Sequence, residues 1–191
     1  MPAPPTTPLS FATLADLEAW LAAHHATHSE LWVRLYKKGS GVTSIAWEDL
    51  VIAGLTWGWI DGVRKSFDEV SFVQRITPRR PKSMWSKKNC EHAERLIAEG
   101  RMKPSGLVHV ESAKRDGRWE RAYAGGADMV IPEDFLKALK KNATARKQYA
   151  TLDRTNLFTI YHRLQTAKTP EARASRIARI IETLARGERF H

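Results

Sequence analysis

Two short stretches rich in β-branched and aromatic residues, separated by a short turn, constrain this chain more than any other feature. Residues 59–65 and 70–77 have the composition that is typical of β-strands, and residues 66–69 lie between them. This pattern predicts an antiparallel hairpin. Residues 30–37 alternate Leu31, Val33 and Leu35 against Trp32, Arg34 and Tyr36, which predicts a third strand.

Most of the remaining chain has apolar residues at helical spacing. Two helices are predicted before the hairpin, over residues 12–25 and 45–57, and beyond the hairpin the whole chain is predicted to be helical. Gly125-Gly126 interrupts this pattern as a hinge-like break. The helices predicted beyond the hairpin lie at 83–99, 104–114, 118–123, 132–141, 143–150, 155–166 and 170–186.

These elements predict an α+β fold, in which helices cover a small antiparallel sheet of about three strands and a C-terminal helical module follows. The Pro-rich residues 1–10 are predicted to be a flexible tail. Residues 11–126 are predicted to form the α+β domain and residues 131–191 the helical module.

The charge of the chain favours anionic partners. Its formal net charge is +10, and residues 131–191 alone carry thirteen Lys and Arg against six Asp and Glu. Such an excess indicates association with polyanions or small acidic ligands, or else a solvated basic surface. We expect a cytoplasmic protein, because Cys90 is the single cysteine and the sequence has neither a secretion signal nor an apolar run of membrane-spanning length.

An acidic residue lies between two glycines at the start of the hairpin. Gly58 and Gly62 allow a tightly defined bend around Asp61, and Arg64 follows closely. A carboxylate held in this way would stay ionised beside the cations and orient a ligand donor. Equally, it would tie down its own turn.

Two adjacent arginines follow the hairpin. Arg79 and Arg80 lie between Pro78 and Pro81, which stiffen the segment, and planar guanidinium groups bind phosphate or carboxylate bidentately. A helix predicted to begin near Trp85 would add backbone N–H groups to an anion site. The alternative is that these arginines pair with acidic residues of neighbouring elements.

In the last predicted helix, Arg173 falls inside the apolar arc, so it must be paired or must reach a ligand. Pairing is the favoured reading, and Lys168 precedes the same helix. The full set of predicted ligand-binding residues is Trp57, Trp59, Asp61, Arg64, Arg75, Arg79, Arg80, Trp85, Lys87, Lys168 and Arg173.

No catalytic, metal or cofactor signature accompanies this set. Cys90 has no base near it in sequence, and His24 and His28, four residues apart, lack a third ligand. Gly-rich phosphate loops are absent too. The sequence therefore predicts neither a metal nor a cofactor.

Several long motifs resemble the YdeI/OmpD-associated proteins, also called bacteriocin-protection proteins. They include GWIDG at 58–62, TPRR at 77–80, WSKKN at 85–89 and IPED at 131–134. The resemblance implies no agreed reaction, cofactor or catalytic residue, and only the family name suggests a porin as a partner. Thr56 stands where that family often has Cys, so a thiol at this position is not part of this protein's mechanism.

The first functional hypothesis is a binding protein for an anionic small molecule or phosphate-bearing ligand, held in a Trp/Arg pocket. A nucleic-acid-binding protein is the second, because cations interleaved with Trp and Tyr can track phosphates and stack bases. An enzyme that uses Asp61 or Glu48 as a general base is the third.

Overall fold

Three antiparallel strands and eight helices make up the part of the chain that the computed structural model describes, residues 7–190. The strands are β1 Leu31–Tyr36, β2 Trp59–Ser66 and β3 Ser71–Pro78. The α+β class predicted from the sequence is confirmed. The helices are α1 Leu14–His24, α2 Trp47–Thr56, α3 Lys87–Ala98, α4 Pro104–Arg115, α5 Glu133–Lys140, α6 Ala143–Tyr149, α7 Arg154–Gln165 and α8 Pro170–Ala185.

The sheet has the order β1-β3-β2, so the second strand of the predicted hairpin lies at its centre. Both pairings are antiparallel, with Leu31 opposite Ile76 on one side and Asp61 opposite Ile76 on the other. The register of β2 against β3 shifts between Asp61 and Arg64. Such a bulge bends the strand and redirects the side chains on either side of it.

Helices α1 and α2 cover one face of this sheet. Leu17 and Leu21 of α1 and Leu50 of α2 are fully buried, and they belong to one apolar cluster with Val33 of β1 and Ile76 of β3. Alternate residues of a strand point to the same face, so the period of two in the sequence supplies the sheet side of this core.

The chain divides into two compact units. The N-terminal unit contains the described residues up to Trp85 together with Asn89–Arg121, and the C-terminal unit contains Ser86–Lys88 and the chain from Ala122 onwards. Most of the tail predicted over residues 1–10 lies outside the described residues. Within its described part, Leu9 exchanges two backbone hydrogen bonds with β1, to Trp32 and from Arg34, with lengths of 3.0 and 2.7 Å.

The core of the C-terminal unit is formed by α5 to α8. Phe135, Ile160, Leu164 and Leu184 are completely buried there. Three of the four helices begin at a side-chain cap: the oxygens of Asn142, Asp153 and Thr169 accept hydrogen bonds from the first turns of α6, α7 and α8. These caps satisfy backbone donors that a helix start leaves open.

The helix predicted over 118–123 is wrong, because the chain there forms turns. Gly117 has a φ of +73°, which ends the helical path after α4. The Arg118 side chain then turns inward and donates to Asp116, to the Ser83 carbonyl at 2.7 Å and to the Ser112 hydroxyl at 3.1 Å. These tertiary bonds override the local helical pattern.

Within residues 7–190, no helix combines the length and the apolar character that crossing a membrane requires.

Gly58 joins α2 to β2 at a point where no side chain fits. Its φ is +79°, and a Cβ atom built there would lie 2.5 Å from the Ser105 carbonyl oxygen of α4 and 3.0 Å from the His109 ring. Its own carbonyl accepts the Arg79 N–H at 2.9 Å. The bend is therefore fixed by contact with α4 as well as by the backbone conformation that glycine permits.

Replacing Gly58 tests this contact. We expect Gly58→Ala to lower the free energy of unfolding by about 2–4 kcal/mol, of which roughly 1–2 kcal/mol comes from the left-handed backbone and the rest from the clash with α4. Urea denaturation measures the loss. Gly39→Ala is the matched control, because Gly39 has a φ of +86° and nothing within 4 Å of a built Cβ. Equal losses in the two variants would contradict a role for the α4 contact.

Candidate functional site

Arg79 lies in the interior of the N-terminal unit. Its side chain is 4% exposed, and its guanidinium carbon stacks 3.7 Å from the centre of the Trp85 ring. One terminal nitrogen, Nη1, donates to the Ser83 hydroxyl and to the Met84 carbonyl, both at 3.3 Å. Residues 79–85 thus fold back so that Trp85 covers the cation at their start.

The stack extends beyond this pair. Trp119 lies 4.8 Å from Trp85, measured between ring centres, and the Lys114 ammonium lies 4.9 Å above the Trp119 ring. The Trp119 indole N–H donates to Glu94 at 3.2 Å. Two cations therefore bracket two tryptophans in one stack, which runs from the buried Arg79 to the exposed Lys114.

Arg80 is exposed, in contrast to its neighbour. Consecutive residues of an extended segment point in opposite directions, so one guanidinium enters the interior while the next meets solvent. The structure therefore does not bring Arg79 and Arg80 into one clamp.

Asp61 is half-buried on β2. Burial raises the pKa of its carboxyl group, against the smaller opposing effects of a backbone N–H and of the Arg79 charge. A raised pKa is the property required of a general base, the third hypothesis from the sequence.

Burial shifts the pKa values of two further groups near Arg79. The pKa of His109 is lowered by burial and then by the charges of Arg79 and Arg118, so its imidazole is held neutral. Burial raises the pKa of the Cys90 thiol to about 12. This thiol therefore stays protonated, unlike the thiolate that a nucleophilic cysteine requires.

Two other predicted arginines are paired with acids. Arg75 donates to Glu30 at 2.7 Å. Arg173 makes a bidentate pair with Asp134, at 2.6 and 2.9 Å, and also donates to the Leu164 carbonyl at 2.7 Å. The pair lowers the pKa of Asp134 and raises that of Arg173. Arg173 thus takes the pairing role that the sequence favoured.

The remaining predicted residues have separate surroundings. Trp59 is 1% exposed in the core, and its indole N–H donates to the His25 carbonyl at 3.2 Å. Trp57 is partly buried against the His25 ring, with the Lys103 ammonium 5.6 Å from its centre. Lys87 and Lys168 are exposed in the C-terminal unit.

One predicted residue, Arg64, lines an open cleft in the N-terminal unit, called here the Arg64 cleft. Its volume is about 490 Å³. The Arg64 guanidinium stacks 3.7 Å from the centre of the Phe72 ring, and Trp47, at the start of α2, is 39% exposed. The side chains that give the cleft its chemistry are Tyr36, Lys37, Lys38, Trp47, Arg64 and Phe72.

No acidic side chain is among the residues that line the Arg64 cleft. Lys37 donates one of its ammonium protons to the Glu69 carbonyl at 2.8 Å. Arg64 and Lys38 form no ion pair with any residue in 7–190. Three cations and three aromatic rings thus line a space that is suited to an anion with a planar part.

Sequence reasoning missed Tyr36, Lys37, Lys38 and Trp47. The signal that it passed over is the Tyr-Lys-Lys run at the end of β1, placed directly before the Gly39-Ser40-Gly41 turn. Cations beside an aromatic residue at the exit of a strand are exposed at a loop, where binding residues are common.

His24 and His28 pack with each other and with Trp20. The two imidazole centres are 4.7 Å apart, and they lie 4.8 and 5.2 Å from the Trp20 ring. In the described part of the chain, no three His, Cys, Asp or Glu side chains form a group that could hold a metal ion.

Comparisons with known proteins give two family matches. Residues 9–109 match the model described as a domain of unknown function (DUF8412), which covers more than half of the chain. Residues 128–187 match the model described as "Bacteriocin-protection, YdeI or OmpD-Associated", so the resemblance seen in the sequence is confirmed there. No curated protein and no solved structure matches the chain.

The raised pKa of Asp61 predicts how Asp61→Asn changes stability. A carboxyl whose folded pKa is above its unfolded value favours folding below the unfolded pKa, and this contribution is lost as the pH rises through the folded pKa. We therefore expect the variant to have a higher Tm than the parent at about pH 7, with the gain shrinking towards about pH 4.

Thermal unfolding between these pH values measures the difference. Asp128→Asn is the control, because Asp128 is an exposed carboxylate, and it should leave the Tm unchanged. A lower Tm for Asp61→Asn at about pH 7, with a loss that shrinks towards about pH 4, would contradict the prediction. It would show that the carboxylate stabilises Arg79 more than its own burial costs.

Proposed function

The chain belongs to the family defined by the DUF8412 domain and has a YdeI/OmpD-associated domain C-terminal to it, and we propose that it binds a small anionic ligand in the Arg64 cleft. The ligand carries a phosphate or carboxylate group and a planar aromatic part. The observation that carries the proposal is the lining of this cleft, three cations and three aromatic rings without a carboxylate.

The charges support the anionic part of this ligand. A cleft with walls of low dielectric focuses the field of its charged residues, and every charge in the lining of this cleft is positive. Stacking on Phe72 fixes the plane of the Arg64 guanidinium, so little side-chain entropy remains to be lost when it forms a bidentate contact.

The aromatic side chains support the planar part. Trp47 is 39% exposed, although a large apolar ring is normally covered in a folded chain. Tyr36 and Phe72 line the same space. A planar ring that stacks on such a surface gains about 1–3 kcal/mol.

The proposal keeps Arg64 from the residues predicted by sequence and leaves out the other four predicted arginines. Arg80 is exposed but does not line the cleft. Arg79 is buried under Trp85, whereas Arg75 and Arg173 are paired with Glu30 and Asp134. Breaking such a pair to bind a ligand would leave a carboxylate without its partner.

Isothermal titration with three probes tests the proposal: adenosine 5′-monophosphate, adenosine and inorganic phosphate. We expect the nucleotide to bind more tightly than either fragment, because only the nucleotide engages both the cations and the rings. Arg64→Gln should weaken nucleotide binding about tenfold or more, since charge-assisted hydrogen bonds contribute about 1.5–3 kcal/mol.

Arg115→Gln is the matched control. It removes the same charge from an exposed position on α4, outside the lining of the cleft, and should leave the affinity nearly unchanged. Equal losses in the two variants, or no loss in Arg64→Gln, would contradict the proposal. Tighter binding to single-stranded DNA of any sequence, with an affinity that falls steeply with salt, would favour the nucleic-acid hypothesis instead.

A further inference from the structure

A second concave and basic surface lies in the C-terminal unit, between α7, α8 and the end of the chain. This cleft, called here the triple-arginine cleft, has a volume of about 300 Å³. Its lining consists of Arg163, Arg176, Arg179, Ile180, Thr183 and Phe190. We propose that the triple-arginine cleft is a separate binding site for a phosphoryl-bearing polyanion.

The spacing of residues on α8 creates one side of this cleft. At about 100° per residue, Arg176, Arg179, Ile180 and Thr183 fall within an arc of roughly 100° on one face of the helix. Both arginines lie outside the apolar arc of this helix, where a solvated face is expected. In the fold, the same face borders a concavity with an apolar floor.

Two of the three guanidinium groups are held in place by the protein. Arg176 donates through Nη1 to the Arg163 carbonyl and, at 3.0 Å, to the Thr166 hydroxyl at the end of α7. The Arg163 guanidinium lies 5.0 Å from the centre of the Phe190 ring. Phe190 is itself buried, with its N–H bonded to Asn156 at 2.6 Å. Groups held in this way lose little entropy when a ligand binds.

The three arginines also lack the acidic partners that their neighbours have. Arg173 of α8 is paired with Asp134, and Arg186, which follows this helix, is paired with Glu188. Within residues 7–190, Arg163, Arg176 and Arg179 form no ion pair. Three like charges in one cleft repel each other, and a bound polyanion would remove this repulsion.

The positive charge of this cleft also affects the imidazole of His162. His162 precedes Arg163 on α7, and its pKa is lowered by burial and by the charge of Arg176. No carboxylate lines the cleft, so the charge that a ligand meets there is entirely positive.

The lining selects the class of ligand. Guanidinium groups match the oxygens of phosphoryl groups bidentately, and three of them suit more than one negative charge. In contrast to the Arg64 cleft, Phe190 is almost fully covered and offers little ring surface for stacking. The geometry therefore favours charge over an aromatic part.

Titration of the full chain with pyrophosphate tests this site, in an Arg64→Gln background so that the other cleft contributes little. We expect saturable binding of one pyrophosphate, at least tenfold tighter than binding of inorganic phosphate or malonate. Arg179→Gln should weaken it about tenfold or more, since this exposed side chain has no structural hydrogen bond in the described chain. Arg163→Gln is the second variant and should have a similar effect.

Arg186→Gln removes the same charge at the end of the same helix, outside the lining, and should change the affinity less than twofold. Equal losses for Arg186→Gln and Arg179→Gln would overturn the proposal, because they would reflect the net charge of the unit. Unchanged binding in Arg179→Gln and Arg163→Gln would overturn the location. Malonate binding as tightly as pyrophosphate would overturn the phosphoryl class.

Discussion

Burial of the Arg79 guanidinium against Trp85 is the interaction on which the N-terminal unit depends. A charged group is costly to remove from water, and it remains inside a fold only when hydrogen bonds and an aromatic face replace its hydration. Here the Trp85 ring at 3.7 Å and the oxygens of Ser83 and Met84 do so. The same charge lowers the pKa of His109 and opposes the burial effect on Asp61.

Because Arg79 is buried, the residues around it serve the structure of the N-terminal unit, whereas other cations of the unit face solvent. Gly58 accepts the backbone N–H of Arg79 and touches α4, so the glycine bend, the arginine and Trp85 belong to one internal arrangement. A ligand could reach that arginine only after the stack had opened. Exposed cations, such as Arg64 in its cleft, can contact a ligand without any such opening.

The types of residue predicted the two hairpin strands, and their spacing predicted the first strand and most helices, because one-sided burial imposes a spacing of 2 or 3.6 on apolar residues. Pairing of Arg173 was favoured for a similar reason, since a cation on an apolar face needs a partner. What the sequence did not predict depends on contacts between distant residues. Arg118 leaves its predicted helix to bond Ser83, and Trp47 of α2 lines the same cleft as Arg64 of β2 only because the fold brings these elements together.

The distribution of ion pairs argues against reading the net charge of +10 as a solvated surface alone. Arg34, Arg75 and Arg173 each pair with a carboxylate, so the fold places acids beside cations that serve structure. The cations that line the two clefts meet no acid in either lining. Repulsion would disperse these cations over a convex surface if they served only solubility. Their concentration in concave places is instead the arrangement that the two proposed anion sites require, because an anion must regain from several donors the hydration that it loses on binding.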